Sequence, residues 1–242
     1  MDKKSKTKNQ KYPKPVMYNK YGVEYDVSNF FYLDSGYNAR IFKRDDEALK
    51  VYNCNCSFKN CMSRKTFNIL KENNIPNLVK LREYLYKEKS AYNKVFTMDA
   101  YTMDYVDGKK IKLLDAPKDY VEKVTESLDE TIDRLTKLKL FILDTNSKNI
   151  IFTEDGVTII DLDMYSKERM LSKEYLMEFN KSQMMNYIRN TIKFEIREEK
   201  NNDLYLGVQC MDYKKSLSSN VKSFFKEDTI RKDLILKNND LF

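Results

Sequence analysis

Three features of the sequence predict an α+β fold in which a small antiparallel sheet precedes a mainly helical half. Residues 30–52 alternate short apolar runs with turn residues. Residues 117–139 repeat apolar side chains at helical steps, and residues 149–160 hold two strand-like runs about a turn. A chain of 242 residues is long enough for one well-buried core or for two small lobes sharing a cleft.

Residues 1–20 read as a flexible basic leader, because they are polar and interrupted by Pro13 and Pro15. In residues 30–52, Phe30, Phe31, Tyr32 and Leu33 run into a turn at Asp34, Ser35 and Gly36. Ala39 to Phe42 and Ala48 to Tyr52 follow, split by the polar Lys43, Arg44, Asp45 and Asp46. Strand, glycine turn, strand, charged turn and strand make a three-stranded meander. A helix is expected over residues 61–73, ending before Pro76 because the residue ahead of a proline is pushed out of helical space. Strands are expected over 78–85 and 95–106, with a turn at Asp107 and Gly108. In residues 117–139, Val121, Val124, Leu128, Ile132 and Leu135 recur at steps of three and four, and Pro117 suits a first helical turn. Residues 177–190 and 221–236 also carry helical patterns.

Histidine is absent, which removes Ser-His-Asp and Cys-His hydrolysis, His-ligated metals and His-mediated proton transfer. What remains is carboxylates, lysines, amides and hydroxyls, an inventory that suits phosphoryl transfer, where positioned charge and magnesium matter most. Cys54, Cys56, Cys61 and Cys210 contain no CxxC pair, which disfavours a zinc site and makes reduced thiols the expectation. Hydrophobic residues are 41% and charged residues 33% of the chain, the balance of a soluble globular protein. No run approaches the roughly 20 apolar residues of a membrane span. The N-terminal lysines lack the apolar run of a signal peptide, so a cytoplasmic protein with no membrane partner is expected. The formal net charge of +7 owes much to seven lysines in the first twenty residues. Nucleic-acid binding would rest on that leader alone, and a solvated tail is the preferred reading.

The stretch ILDTNSKNIIFTEDGVTIIDLD places Asp144, Asn149 and Asp161 at the ends of one hairpin, an all-oxygen set that magnesium with nucleotide phosphates prefers. Its D-x-x-x-x-N spacing, apolar strand, turn, strand and Ile-Asp resemble the catalytic loop and magnesium loop of protein-kinase-like enzymes. Asp163 stands where that family has the glycine of its DFG element, and Ile-Asp-Leu-Asp is more similar to the IDFD of small-molecule and atypical kinases. Gly36 resembles the remnant of a glycine-rich loop, Lys50 the strand lysine that follows it, Met103 the gatekeeper, and Asp104 to Gly108 the hinge. Ile75 to Leu81 resembles the HPNIVKL link.

The resemblance, which covers roughly residues 30–165, implies a bilobal fold. Residues 21–106 would form a lobe of antiparallel sheet plus helix C, and residues 107–242 a short, mainly helical lobe. It implies ATP and Mg2+ as cofactors. Asp144 would receive the proton of the attacking hydroxyl, and Asn149 and Asp161 would hold magnesium. Gly36 and Lys50 would hold phosphates, and the backbone of Asp104 and Val106 would meet adenine. A protein Ser/Thr hydroxyl is the expected acceptor. Departures are equally specific. Ile142 and Leu143 replace His-Arg, no APE motif follows Asp161, and the helix C glutamate falls at Thr66, while Glu72, near the end of the same helix, would need a register shift to reach Lys50. These departures keep a nucleotide-binding pseudokinase open as the alternative, and Ile-Asp-Leu-Asp keeps open a small-molecule kinase.

Overall fold

The computed structural model describes residues 14–53, 61–88, 99–142, 144–163, 165–166 and 171–205. Parts of the expected strand at 95–106, the helical pattern at 221–236 and Leu143 lie outside them. The architecture is mixed α and β, with one five-stranded sheet and three α-helices among the described residues.

Strands β1 (Met17–Tyr18) and β2 (Glu24–Tyr25) pair with each other, and Tyr18 exchanges two backbone hydrogen bonds with Tyr86, at 2.7 and 2.9 Å. Met17 is fully buried. The stretch read as leader is therefore ordered before residue 20. Burying one Met side chain gains about 1.5–3 kcal/mol, comparable to the cost of fixing the backbone of one or two residues.

β3 (Phe31–Ser35), β4 (Ala39–Arg44) and β5 (Glu47–Tyr52) form the expected meander, and β6 (Leu81–Leu85) and β7 (Ala100–Asp104) complete an antiparallel sheet of order β3-β4-β5-β7-β6. Asp45 turns the chain between β4 and β5 at φ 47°, a left-handed conformation that a short polar residue tolerates. β5 is central and covered on both faces. Leu49 and Val51 pack with Met17, Phe30, Phe42 and Leu85 on one side. Ala48 and Tyr52 join the larger core on the other, and the two-residue period of a strand puts Lys50 between them.

Helix α1 (Arg64–Asn73) begins where the Ser63 hydroxyl accepts the Thr66 N–H at 3.0 Å, a cap worth about 1 kcal/mol. It stops at Asn74, which is left-handed at φ 42°. Phe67 is its main anchor, with ring contacts to Tyr84 and Tyr101. Cys61, just ahead of the cap, is disulfide-bonded, which corrects the expectation of a reduced thiol there.

Helix α2 (Lys118–Lys137) buries Val124, Leu128, Ile132 and Leu135, the apolar stripe read from the sequence. It is followed by β8 (Leu140–Phe141), the hairpin β9 (Ile150–Thr153) and β10 (Gly156–Ile159), and β11 (Tyr165–Ser166), which pairs with β8. Helix α3 (Lys173–Tyr205) packs along α2. The residues linking α1 to β6 are tied to the second half of the chain. The Ile159 N–H donates to the Asn77 carbonyl at 2.7 Å, and the Val79 N–H donates to the Ile159 carbonyl at 2.9 Å.

Candidate functional site

Lys50 leaves β5 on the face turned toward the large core, and its side chain is only 5% exposed. A buried ammonium needs counter-charge, since an unpaired charge in a dry interior costs several kcal/mol. Two carboxylates from the segment after β10 supply it. Nζ lies 2.5 Å from Asp161 Oδ1 and 3.1 Å from Asp163 Oδ2. Burial alone would push the Lys50 pKa down, but the charges of Asp163 and Asp161 outweigh it and hold the ammonium above its ordinary value. The other oxygen of Asp163 accepts the Tyr52 hydroxyl at 2.7 Å, and that hydroxyl in turn accepts the Met62 N–H at 2.9 Å. Burial lifts the Asp163 carboxyl above its ordinary value against the pull of Lys50.

Helix α1, where the sequence lacks the helix C glutamate, supplies no acid to Lys50. Thr66, at that position, is buried, with its hydroxyl 2.9 Å from that of Ser63. Glu72 is exposed near the end of α1.

Asp144 and Asn149 meet in the loop between β8 and β9. Asp144 Oδ1 accepts the Asn146 N–H and Oδ2 accepts the Asn149 side-chain amide, both at 3.0 Å. That amide bond leaves the Asn149 side-chain carbonyl as the oxygen available to a cation. The Asn149 backbone carbonyl accepts the Ile160 N–H at 2.9 Å, which brings Asn149 beside the residue preceding Asp161. One end of the β9–β10 hairpin thus carries all three side chains, and Lys50 arrives there from the sheet.

Three polar residues of α3 hold this loop. The buried Asn180 accepts the Ile142 N–H at 3.3 Å and donates to the Leu140 carbonyl at 2.9 Å. The Tyr187 hydroxyl donates to the Asp144 carbonyl at 2.6 Å, and the Asn190 amide to the Thr145 carbonyl at 2.8 Å. Burial pushes the Tyr187 phenol well above its ordinary pKa, and the charges of Asp161 and Asp144 add to that, so it stays a donor. Spacings of seven and three residues put the three on one face of a helix with 3.6 residues per turn. That spacing was the available signal, and the expectation of a helix over 177–190 did not use it.

Gly36 sits in the β3–β4 turn, where its N–H donates to the Ala39 carbonyl at 2.9 Å. It is not among the glycines with positive φ, and a Cβ there would meet nothing within 4 Å. Gly108 is constrained, with φ 154° and a would-be Cβ 3.2 Å from the Thr153 methyl. In the expected hinge, the Asp104 N–H donates to the Lys80 carbonyl at 2.9 Å and its carboxylate binds Arg82 at 2.6 Å. The neighbouring Tyr105 N–H is held by the Asp46 carbonyl at 2.7 Å. Among the described residues the Val106 N–H forms no hydrogen bond.

The donor set suits a hard cation accompanied by phosphates. Asp161 is 30% exposed at its side chain, and its Oδ2 is outside the bonds that Oδ1 makes to Lys50 and to the Asp163 N–H. Among the described residues no group of three or more His, Cys, Asp or Glu is arranged to hold a metal by itself. Magnesium is typically bound by one or two carboxylates with phosphate oxygens and water completing the shell. Among the described residues no helix is long and apolar enough to cross a membrane.

No protein-family model and no curated protein matches the chain. Solved kinase structures do. The Legionella pneumophila Lpg2603 kinase bound to IP6 is 18% identical, with a TM-score of 0.43 over 70% of this chain and 65% of that one. The M. tuberculosis PknI kinase domain is 16% identical, with a TM-score of 0.39 over 57% of this chain and 60% of that one. A second structure of that domain gives 15% identity, a TM-score of 0.39 and coverages of 59% and 62%. This chain spans less than two thirds of the length of each, and each is a distant, partial likeness.

Proposed function

We propose that the protein is an ATP- and magnesium-dependent phosphotransferase of the protein-kinase-like type, acting on a protein Ser/Thr hydroxyl. The observation that carries this reading is the meeting of Lys50 with Asp161 at 2.5 Å across 111 residues of sequence, at the hairpin end that also holds Asn149 and Asp144. Lys50 and the backbone about Gly36 bind phosphate oxygens, and the backbone of Asp104 and Val106 orients adenine. Asn149 and Asp161 would hold magnesium, which would supply positive charge against the phosphates. Asp144, exposed and kept in place by Asn146 and Asn149, accepts a hydrogen bond from the acceptor hydroxyl. As that oxygen bonds to the γ-phosphorus, the bridging P–O bond to the β-phosphate breaks, the proton passes to Asp144 and ADP leaves.

Magnesium-dependent stabilisation by ATP, followed by a phosphotransfer assay with radiolabelled ATP, tests the reading. Asp144→Ala should abolish transfer and leave nucleotide binding intact. Transfer at the wild-type rate in that variant would show that the role is misassigned. A second reading has its own support. With no α1 carboxylate on Lys50, a nucleotide-binding regulatory module would show ATP-dependent stabilisation without transfer.

A further inference from the structure

We infer that Asp163 is the positioning residue that anchors Lys50 while nucleotide is bound, a role no residue of α1 fills. The inference rests on the phosphotransferase reading and deepens it. In the structure Lys50 touches two carboxylates, and they are held differently. Asp161 is 30% exposed at its side chain, whereas Asp163 is 14% exposed and has both oxygens engaged by β5 side chains, Lys50 at 3.1 Å and Tyr52 at 2.7 Å. Lys50 and Tyr52 are two residues apart, hence on one face of the strand, and Asp163 bridges them. Tyr52 is fixed in turn by the Met62 N–H at 2.9 Å.

Binding of metal and triphosphate asks two things of this cluster. Asp161 must turn its charge to the metal, and Lys50 must give hydrogen bonds to phosphate. A buried lysine released by its main partner would swing or lose its place unless a second carboxylate holds it. Asp163 meets that requirement without moving, since neither of its partners is a metal ligand. The exposed Glu72 and the capped Thr66 leave α1 with nothing to contribute. The loop that holds metal and the residue that holds the lysine are therefore one segment, Asp161 to Asp163, and repositioning of α1 is not required to assemble the site.

The test combines binding, kinetics and stability. Displacement of a fluorescent ATP analogue by ATP with magnesium is measured for the wild type, Asp163→Asn, Tyr52→Phe and the control Glu72→Gln. Initial rates are then measured against ATP and against the acceptor protein. Loss of one charge-assisted contact predicts about a tenfold weaker ATP affinity and a matching rise in KM for ATP in Asp163→Asn. The acceptor KM should stay within about twofold, because the lost contact touches only the nucleotide side. Tyr52→Phe, which keeps the Asp163 charge and removes the hydroxyl that orients it and accepts the Met62 N–H, should show the same split at about threefold. It also keeps the inference testable if Asp163→Asn does not fold. A thermal-unfolding cycle of Lys50→Met and Asp163→Asn should show coupling both without nucleotide and with ATP and magnesium. Wild-type protein that binds no ATP would overturn the phosphotransferase reading and this inference together. Wild type that binds ATP, with Asp163→Asn and Tyr52→Phe binding it equally well, would overturn this inference alone.

Discussion

α1 and α3 both border the candidate site, but they relate to it in opposite ways. α1 is ten residues long and contributes packing, chiefly Phe67 against Tyr84 and Tyr101. Its polar side chains serve its cap or the sheet, as Arg64 does on the Tyr86 hydroxyl and Lys71 on the Arg82 carbonyl, and among the described residues none is bonded to the loop that holds Asp144. α3 contributes three side-chain hydrogen-bond donors to the backbone on either side of Asp144, from Asn180, Tyr187 and Asn190. Packing is tolerant of small shifts, whereas a side chain bonded to one particular carbonyl sets where the loop lies. The difference locates control of the site in the second half of the chain and leaves the helix of the sheet lobe as support.

Four substitutions break or sharpen that contrast. Asn180→Ala strips partners from the Leu140 carbonyl and the Ile142 N–H inside the core, and should cost about 2–3 kcal/mol in urea unfolding. Tyr187→Phe removes one hydrogen bond to the Asp144 carbonyl. It should lower kcat about tenfold while ATP affinity, read by isothermal titration, holds. On the other helix, Ser63→Ala removes the cap and should cost about 1 kcal/mol in the same unfolding assay, with the transfer rate kept. Glu72→Gln should change stability by less than about 0.5 kcal/mol and leave transfer unaltered. A tenfold loss of transfer in either α1 variant would erase the distinction between the helices. A Tyr187→Phe enzyme of full activity would erase it from the other side.

Much of this was legible in the chain itself. The meander, α2 and the β9–β10 hairpin each carry a local apolar period, and local period is what a linear sequence displays. Lys50 was placed by its position in a short strand, and Asp144 and Asn149 by their spacing. The partner of Lys50 was not legible, because a bond across 113 residues leaves no local pattern. The one hint was an aspartate at 163 where the resembled motif has glycine. The tethers on α3 were hidden because polar residues within a helical stripe ordinarily read as solvent-facing. Met17 was misread because the short run Val16, Met17 and Tyr18 in a lysine-rich stretch gives no period, although its burial shows that it covers the face of the sheet turned away from the large core.

Ile159 is gripped from both sides by Asn77 and Val79, two positions ahead of Asp161. Separating the sheet from the helical half therefore means tearing that clasp, and the grip falls within two residues of Asp161. β3, at the edge of the sheet opposite β6, is the strand furthest in order from this tie, and Gly36 follows it directly.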